Sequence, residues 1–241
     1  MESAAKPNDS RDSWTIQSVL GSSWEKQKGA KGIILVGCLI CMVINTIVEL
    51  GYGALLISLD VIEYGGQWDT VTWSVQPVRF ILNILESPLL YGVFLLGIQR
   101  SAGMPIHVKT IFQPFSFFFL LIGLTLLVSL FTLAGFLLLV LPGIYLALAY
   151  SFSPYLMIKK KMGIWESMET SRKTVTKYWW RYFGLMLLLV LLNIVAAVAL
   201  LVPLVWTIPM TFIALGEVYN ASFQDNNEES DANSNPASAA P

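Results

Sequence analysis

Residues 115–139 read FSFFFLLIGLTLLVSLFTLAGFLLL and contain no charged side chain. A helix of this length extends for roughly 37 Å at ~1.5 Å per residue, so it can cross a hydrocarbon core of about 30 Å. A second apolar run, residues 144–158, follows after Leu141-Pro142-Gly143 and ends at Lys159, Lys160 and Lys161. This pattern predicts a transmembrane hairpin.

The turn of this hairpin is expected at Pro142 and Gly143. Pro142 suits the first position of the returning helix, where its missing N–H costs nothing. Gly143 permits a tight turn in which the two backbones pack closely.

The whole chain has the composition of a membrane protein. It is 55% hydrophobic and 13% charged, with a mean hydropathy of +0.64, whereas a soluble domain averages about 25% charged residues. The charge deficit lies in long apolar runs, which predicts an all-α bundle of six transmembrane helices with two or three interfacial amphipathic helices. The predicted spans are residues 32–59, 77–99, 115–139, 144–158, 184–202 and 205–219.

Polar segments flank this predicted membrane domain, which covers residues 32–223. Residues 1–31 are expected to hold a short amphipathic helix, capped by Ser13 and with Trp24 on its apolar side. Residues 224–241 are rich in Asn, Ser, Asp and Glu and are expected to form a disordered acidic tail.

The distribution of Lys and Arg predicts the orientation of the chain. In the six-span arrangement every Lys and Arg except Arg79 falls on one side of the membrane. By the positive-inside rule that side is cytoplasmic, so both termini are expected in the cytoplasm. The localisation expected is a bacterial cytoplasmic (inner) membrane.

Two acidic residues, Glu49 and Glu86, lie well inside apolar runs. Asn45 and Asn83 each lie one helical turn from one of them, and Arg79 is the nearest basic candidate, two turns from Glu86. An ionised carboxylate at this depth costs at least ~2.5 kcal/mol, so it must be protonated, paired or in contact with water.

Two interpretations of this intramembrane polar site stay open. It is either a pocket for a proton, cation or polar head group, or a buried hydrogen bond between helices. In both, Glu49 and Glu86 are expected to face each other and to share one hydrogen bond, with at least one protonated at neutral pH. Asn193, in the fifth predicted span, is expected to make a hydrogen bond between helices.

A basic and aromatic segment, residues 159–183, follows the hairpin. Residues 164–183 have helical periodicity and predict one continuous helix on the membrane surface, with Trp165 and Trp179 on its apolar face. Ser171 lies on or near that face, where its small side chain permits close backbone approach. The segment either contacts anionic lipid head groups or simply anchors the chain at the interface. Its predicted interface residues are Lys159, Lys160, Lys161, Trp165, Arg172, Lys173, Lys177, Trp179 and Arg181.

No sequence motif predicts catalysis or a metal site. The chain contains no nucleophile elbow, zinc-protease motif, P-loop or dinucleotide-binding turn. His107 has no neighbouring metal-ligand side chain, and Cys38 and Cys41 are expected to be packing residues within a span. The net charge of −1 comes with no basic stripe of the nucleic-acid-binding type. No catalytic residue, cofactor or nucleic-acid partner is therefore expected.

A series of short markers resembles a broad set of uncharacterised bacterial integral membrane proteins. The set includes YciC-like inner-membrane proteins and the membrane domain attached to some glycerophosphodiester phosphodiesterases. The likeness covers residues 14–220, and its most specific part is the Pro142-Gly143 turn followed by Pro154 and Ser171. The remaining markers are Ser87-Pro88-Leu89, Gly92, Gly103, Phe112, Phe115, Ile144-Tyr145 and Glu166.

This resemblance implies a six-span bacterial inner-membrane protein with no assigned reaction. Residues 1–241 contain no soluble phosphodiesterase domain, so no esterase activity is expected. The sequence favours a non-enzymatic protein that binds anionic lipid or a protein partner, a second copy included, in envelope homeostasis. The alternatives are a small transporter or channel that uses Glu49 and Glu86, and, in third place, an intramembrane enzyme.

Overall fold

The computed structural model describes residues 14–58, 68–199 and 202–223, with side chains masked for 68–75. Every regular element in these ranges is helical, which confirms the predicted all-α class. The predicted acidic tail, residues 224–241, lies outside the described residues. The elements are α1 (Ile16–Lys26), α2 (Lys31–Ser58), α3 (Trp68–Ser101), a 3₁₀ segment (Val108–Phe117), α4 (Phe118–Leu138), α5 (Val140–Ala149), α6 (Ser153–Lys160), α7 (Ile164–Lys177), α8 (Trp179–Val198) and α9 (Leu204–Phe223).

Five helical segments in the described ranges are long and apolar enough to cross a membrane. This agrees with the prediction of a polytopic membrane protein. Helix α9, which contains the whole of the sixth predicted span, is not among them. The five segments are Lys31–Ser58, Gln76–Ser101, Val108–Leu138, Val140–Lys160 and Trp179–Val198.

The chain forms two compact units. The first unit contains the described residues of Met1–Gly32, Phe94–Ile106 and Thr174–Pro241. The second unit contains those of Ile33–Val93 and His107–Lys173. Each unit is therefore assembled from segments that are distant in sequence.

In the first unit, helix α1 begins with a capping box. The Thr15 side chain accepts a hydrogen bond from the backbone N–H of Ser18, and the Ser18 side chain accepts one from the Thr15 backbone N–H. The predicted cap at Ser13 is wrong, because this reciprocal pair starts the helix two residues later. On the predicted apolar side of this helix, Val19 is buried and Trp24 is 50% exposed.

Helix α9 is the packing centre of the first unit. It contacts α1 and α8, and the hydroxyl of Tyr182 in α8 donates a 2.6 Å hydrogen bond to Ser222. It also approaches the end of α3 so closely that a Cβ on Gly216 would lie 2.5 Å from the Gly97 carbonyl oxygen. Glycine at both positions allows the two backbones to meet.

In the second unit, α4 and α5 form a helical hairpin. Leu139, with φ −165° and ψ 154°, is the single extended residue between them. Gly135 and Gly143 then bring the two backbones together: a Cβ on Gly135 would lie 3.0 Å from the Gly143 Cα. Phe131 and Tyr150 contact each other further along the pair, with ring centroids 6.3 Å apart.

The hairpin turns earlier than predicted. Because Leu139 makes the turn, α5 starts at Val140 and Pro142 is its third residue, not its first. Pro142 still lies in the first turn, where no backbone N–H is needed for the helix. The returning helix is also interrupted after Ala149, and Pro154 stands at the start of α6.

The predicted continuous surface helix over residues 164–183 is wrong. Helix α7 ends at Lys177, and Tyr178 has a non-helical backbone with φ −123° and ψ 31°. Helix α8 then begins at Trp179 and continues to Val198. Trp179 and Arg181 therefore belong to the first turn of an apolar helix.

Candidate functional site

Helices α2 and α3 bring the predicted intramembrane polar residues together in the second unit. The Asn45 amide donates a 2.6 Å hydrogen bond to Glu86 Oε2. One turn further along α2, Glu49 forms an ion pair with Arg79 at 3.2 Å. The Asn83 amide donates to the backbone carbonyl of Arg79 at 2.8 Å.

The pairing differs from the prediction. Arg79, the nearest basic candidate in the sequence, contacts Glu49 and not Glu86, because α3 passes α2 with its earlier residues beside the later residues of α2. In the described part of the chain, Glu49 and Glu86 do not hydrogen-bond to each other, which corrects the expected shared hydrogen bond. The protonation of either carboxyl group stays a prediction.

A cavity of about 230 Å³ lies at this polar cluster. Glu86 Oε1 is buried and has no hydrogen-bond partner among the described residues. One carboxylate oxygen is therefore satisfied by Asn45 while the other is not. The cavity is lined by Cys41, Asn45, Asn83, Glu86, Ser87, Leu89 and Leu90.

A chain of hydroxyl groups begins at the cavity wall. Ser87 Oγ lies 3.3 Å from Thr125 Oγ1, which lies 3.0 Å from the hydroxyl of Tyr91. The Tyr91 ring meets the buried Tyr155 edge to face, with centroids 5.8 Å apart. These contacts extend the polar cluster from α3 towards α4 and α6.

The α7 part of the predicted lipid-interface helix carries a compact salt-bridge group. Arg172 donates two hydrogen bonds to Glu169, at 2.8 and 3.0 Å, and Lys173 lies 3.3 Å from the same carboxylate. The Arg172 guanidinium holds the pKa of Glu169 below its usual value. Glu169 thus neutralises part of the positive charge of Arg172 and Lys173, two residues that were predicted to contact lipid.

Helix α7 has one buried side. Trp165, which was placed on the apolar face, is 65% exposed, and its ring lies against Phe131. The buried residues include Ser167, Met168 and Ser171, and Ser171 Oγ donates a 2.6 Å hydrogen bond to the Ala149 carbonyl. Small residues allow α7 to approach α5 at this point.

The three lysines after the hairpin have unequal environments. Lys159 and Lys160 end α6 and are half-buried, and Lys160 Nζ has no hydrogen-bond partner among the described residues. Lys161 is exposed and has a left-handed backbone with φ 53°. It therefore terminates the helix in addition to carrying charge.

The start of α8, in the first unit, combines cationic and aromatic side chains. Lys177 Nζ lies 4.8 Å from the Tyr178 ring centroid, and the Arg181 guanidinium carbon lies 5.6 Å from it. Trp180 is 79% exposed beside them, and Trp179 stacks on Phe183 with centroids 5.8 Å apart. We call residues 177–181 the basic–aromatic corner.

The structure adds a polar junction in the first unit that the sequence analysis missed. Lys26 forms a 2.6 Å ion pair with Glu217, and Ser22 donates a 2.6 Å hydrogen bond to the same carboxylate. Arg100 donates to the backbone carbonyls of Lys26 and Lys28, at 2.7 and 2.9 Å. The signal was present in the sequence, because Glu217 is the single acidic residue of the apolar α9.

Asn193 makes the predicted hydrogen bonds between helices. Its amide donates to Thr211 at 2.8 Å and accepts from Thr207 at 3.0 Å, which joins α8 to α9 and confirms that prediction. Within the described residues, no group of three or more His, Cys, Asp and Glu side chains is arranged to hold a metal ion.

Comparisons with protein-family models, with curated proteins and with solved structures give no match to this chain. The resemblance drawn from the marker residues therefore stays a prediction, and the geometry of the sites carries the functional argument.

Proposed function

We propose that this chain is a non-enzymatic, multi-pass protein of a bacterial cytoplasmic membrane that binds anionic lipid at its basic–aromatic corner. The observation that carries this proposal is the position of Lys177 and Arg181 around the Tyr178 ring, next to the exposed Trp180. Aromatic residues favour the membrane interface, and basic residues there attract anionic head groups.

The ring geometry supports head-group contact at the corner. Tyr178 is half-buried with its hydroxyl turned inward, so the ring is the part of the side chain near both cations. A cation held over a tyrosine ring gains about 0.5–1 kcal/mol at an exposed site. This interaction positions the two positive charges for one phosphate-bearing head group.

The neighbouring α7 charges are less suited to this role. Arg172 and Lys173 already contact Glu169, which cancels part of their attraction for anions. We therefore place the preference for anionic lipid at residues 177–181 and give Trp165 and the exposed Lys161 an anchoring role.

Six membrane spans complete the proposed architecture, with α9 as the sixth. Helix α9 buries residues all around its surface, including Ile213, Ala214, Val218 and Tyr219. A helix surrounded by protein needs less hydropathy than one that faces lipid. Six spans place both termini in the cytoplasm, on the side that carries nearly all Lys and Arg.

The cellular role in this proposal is envelope homeostasis, for which the support is the basic and aromatic residues 177–181 together with the lack of catalytic motifs in the sequence. A protein partner or a second copy is compatible with the many exposed apolar side chains of α4 and α8, which otherwise face lipid. A small transporter or channel is the second candidate function, and one observation favours it: the unpartnered Glu86 Oε1 at its cavity.

Native mass spectrometry of the full chain in a mild detergent tests the lipid proposal. Phosphatidylglycerol and phosphatidylcholine are titrated separately, and the apparent Kd of each retained lipid is measured. Replacing Lys177 and Arg181 by Gln should weaken phosphatidylglycerol binding by up to about thirtyfold, because each basic residue contributes ~1 kcal/mol. Phosphatidylcholine binding should change little.

The matched control removes the same charge elsewhere. Lys28→Gln combined with Lys109→Gln takes two exposed lysines outside the corner, and it should keep the preference for phosphatidylglycerol. Equal loss in both double variants would show that only total charge matters, and an unchanged preference in the corner variant would refute the proposed site.

A further inference from the structure

With both carboxyl groups ionised, the α2–α3 cluster would carry one uncompensated negative charge. It contains two acidic groups, Glu49 and Glu86, and one basic group, Arg79. Arg79 is held by Glu49 at 3.2 Å, whereas among the described residues Glu86 contacts only the neutral amide of Asn45. One negative charge therefore lacks a counter-charge in an apolar helix pair, which is costly unless something neutralises it.

The polar groups around Glu86 have already used several of their donors. The Asn45 amide donates to Glu86, the Asn83 amide to the Arg79 carbonyl, and the Ser87 hydroxyl to the Ile84 carbonyl at 2.8 Å. In the described structure, Glu86 Oε1 is buried and accepts no hydrogen bond, and the side chains of Asn45 and Asn83 line the same cavity. The cavity thus offers oxygen acceptors beside one negative charge.

We propose that this cavity is a binding site for a monovalent cation, either an alkali ion or a primary ammonium group. Carboxylate, amide and hydroxyl oxygens are the ligands that hard cations prefer. A single uncompensated carboxylate, Glu86, matches a single positive charge. The described residues lack the clustered His, Cys, Asp and Glu ligands that a transition metal needs.

The size of the cavity agrees with this ligand class. Its volume is about 230 Å³, and one water molecule occupies ~30 Å³ of liquid. A monovalent cation fits together with several of its hydration waters or a short alkyl chain. The apolar wall at Leu89 and Leu90 suits the carbon atoms of an organic ammonium ion.

The site is independent of the lipid-binding corner. Its residues all belong to the second unit, and none of them is a predicted interface residue. The candidate transport function would require this site, but cation binding does not require transport.

Thermal unfolding of the full chain in nanodiscs of zwitterionic lipid tests the proposal. Sodium, potassium or methylammonium chloride replaces N-methylglucamine chloride at constant ionic strength. At least one of the three small cations should raise the unfolding midpoint to a plateau, as expected for a ligand that binds the folded state. The cation that acts at the lowest concentration distinguishes an alkali ion from an ammonium group. Absence of a saturable rise with all three would overturn the proposal and favour a protonated Glu86.

Two variants connect the response to the cavity. Glu86→Gln should raise the half-saturating concentration by at least about tenfold, because it removes the only charged ligand. Glu166→Gln, an exposed acidic residue of α7, removes the same charge and should leave that concentration unchanged. An equal response in wild type and Glu86→Gln would refute the site.

A gain-of-binding variant keeps the test informative if Glu86→Gln does not fold. Asn45→Asp adds a second carboxylate to the same cavity and should lower the half-saturating concentration of the active cation by about tenfold. Sodium-23 NMR line widths, or competition by the other cations, report binding directly. An Asn45→Asp protein whose half-saturating concentration equals that of the wild type would contradict the proposal.

Discussion

Replacement of Gly216 by Ala should destabilise the first unit by interfering with the contact between α9 and α3. A Cβ at position 216 would lie 2.5 Å from the Gly97 carbonyl oxygen and 2.7 Å from the Ile98 nitrogen. Both obstacles are backbone atoms, so no side-chain rotation can relieve the overlap. Gly216 also precedes Glu217, and the close approach places that carboxylate beside Lys26.

The size of the effect follows from how far the 2.5 Å contact falls below the shortest distance that a Cβ tolerates. A Cβ essentially never lies within 3.0 Å of a heavy atom to which it is not linked through its own or a neighbouring residue, so one helix must move by about 0.5 Å. Overpacking of this kind typically costs ~1–3 kcal/mol, a factor of about 5 to 150 in the folding equilibrium. For a chain of this length, each kcal/mol lowers the unfolding midpoint by roughly 2–4 °C.

The assay is the thermal unfolding midpoint of purified protein in detergent, followed by the loss of the monodisperse peak in size-exclusion chromatography. Gly51→Ala is the matched control, because a Cβ there meets no heavy atom within 4 Å. Its midpoint should stay at or slightly above that of the wild type, since Ala favours a helix over Gly. Equal midpoints for Gly216→Ala and Gly51→Ala would refute the close packing of α9 on α3.

Two further substitutions test other contacts by the same unfolding assay. Glu217→Gln should lower the free energy of unfolding by about 1–2 kcal/mol, because Lys26 loses its anionic partner. The loss is limited because Lys26 is partly exposed and keeps its hydrogen bond to the Ser101 carbonyl. A Glu217→Gln protein as stable as the wild type would show that the ion pair contributes nothing. Ser171→Ala should cost ~1 kcal/mol through loss of the buried hydrogen bond to Ala149. A Ser171→Ala protein as stable as the wild type would contradict the assigned contact between α7 and α5.

Hydropathy was sufficient to predict the helical class and the apolar segments, because an uncharged run such as residues 115–139 has few alternatives to a helix in lipid. The ends of helices were harder to predict. Leu139 has no turn propensity, yet it makes the hairpin turn because the two glycines, Gly135 and Gly143, let the helices close immediately after it. Tyr178 likewise ends a helix without Gly or Pro.

The hydrogen-bond partners in the candidate site depend on which residues of α2 lie beside which residues of α3. The composition of the two apolar runs does not predict this register. Depth in the apolar run predicted that Asn45, Glu49 and Glu86 lie in one polar layer, but only the structure assigns Arg79 to Glu49. For Glu217, the sequence shows a single acidic residue in an apolar helix, which indicates that it needs a partner. The partner, Lys26, lies far earlier in the chain, so the spacing of residues could not identify it.

The most direct test of the membrane account is the labelling of single cysteines in whole bacterial cells by a membrane-impermeant thiol reagent, with Cys38 and Cys41 replaced beforehand. In the six-span arrangement, Ser74→Cys lies between the first two spans and should react from outside. Lys160→Cys and Ser230→Cys should react only after the cells are permeabilised, because both positions are placed in the cytoplasm. Labelling of position 160 in intact cells would contradict the six-span arrangement and, with it, the cytoplasmic placement of the basic–aromatic corner.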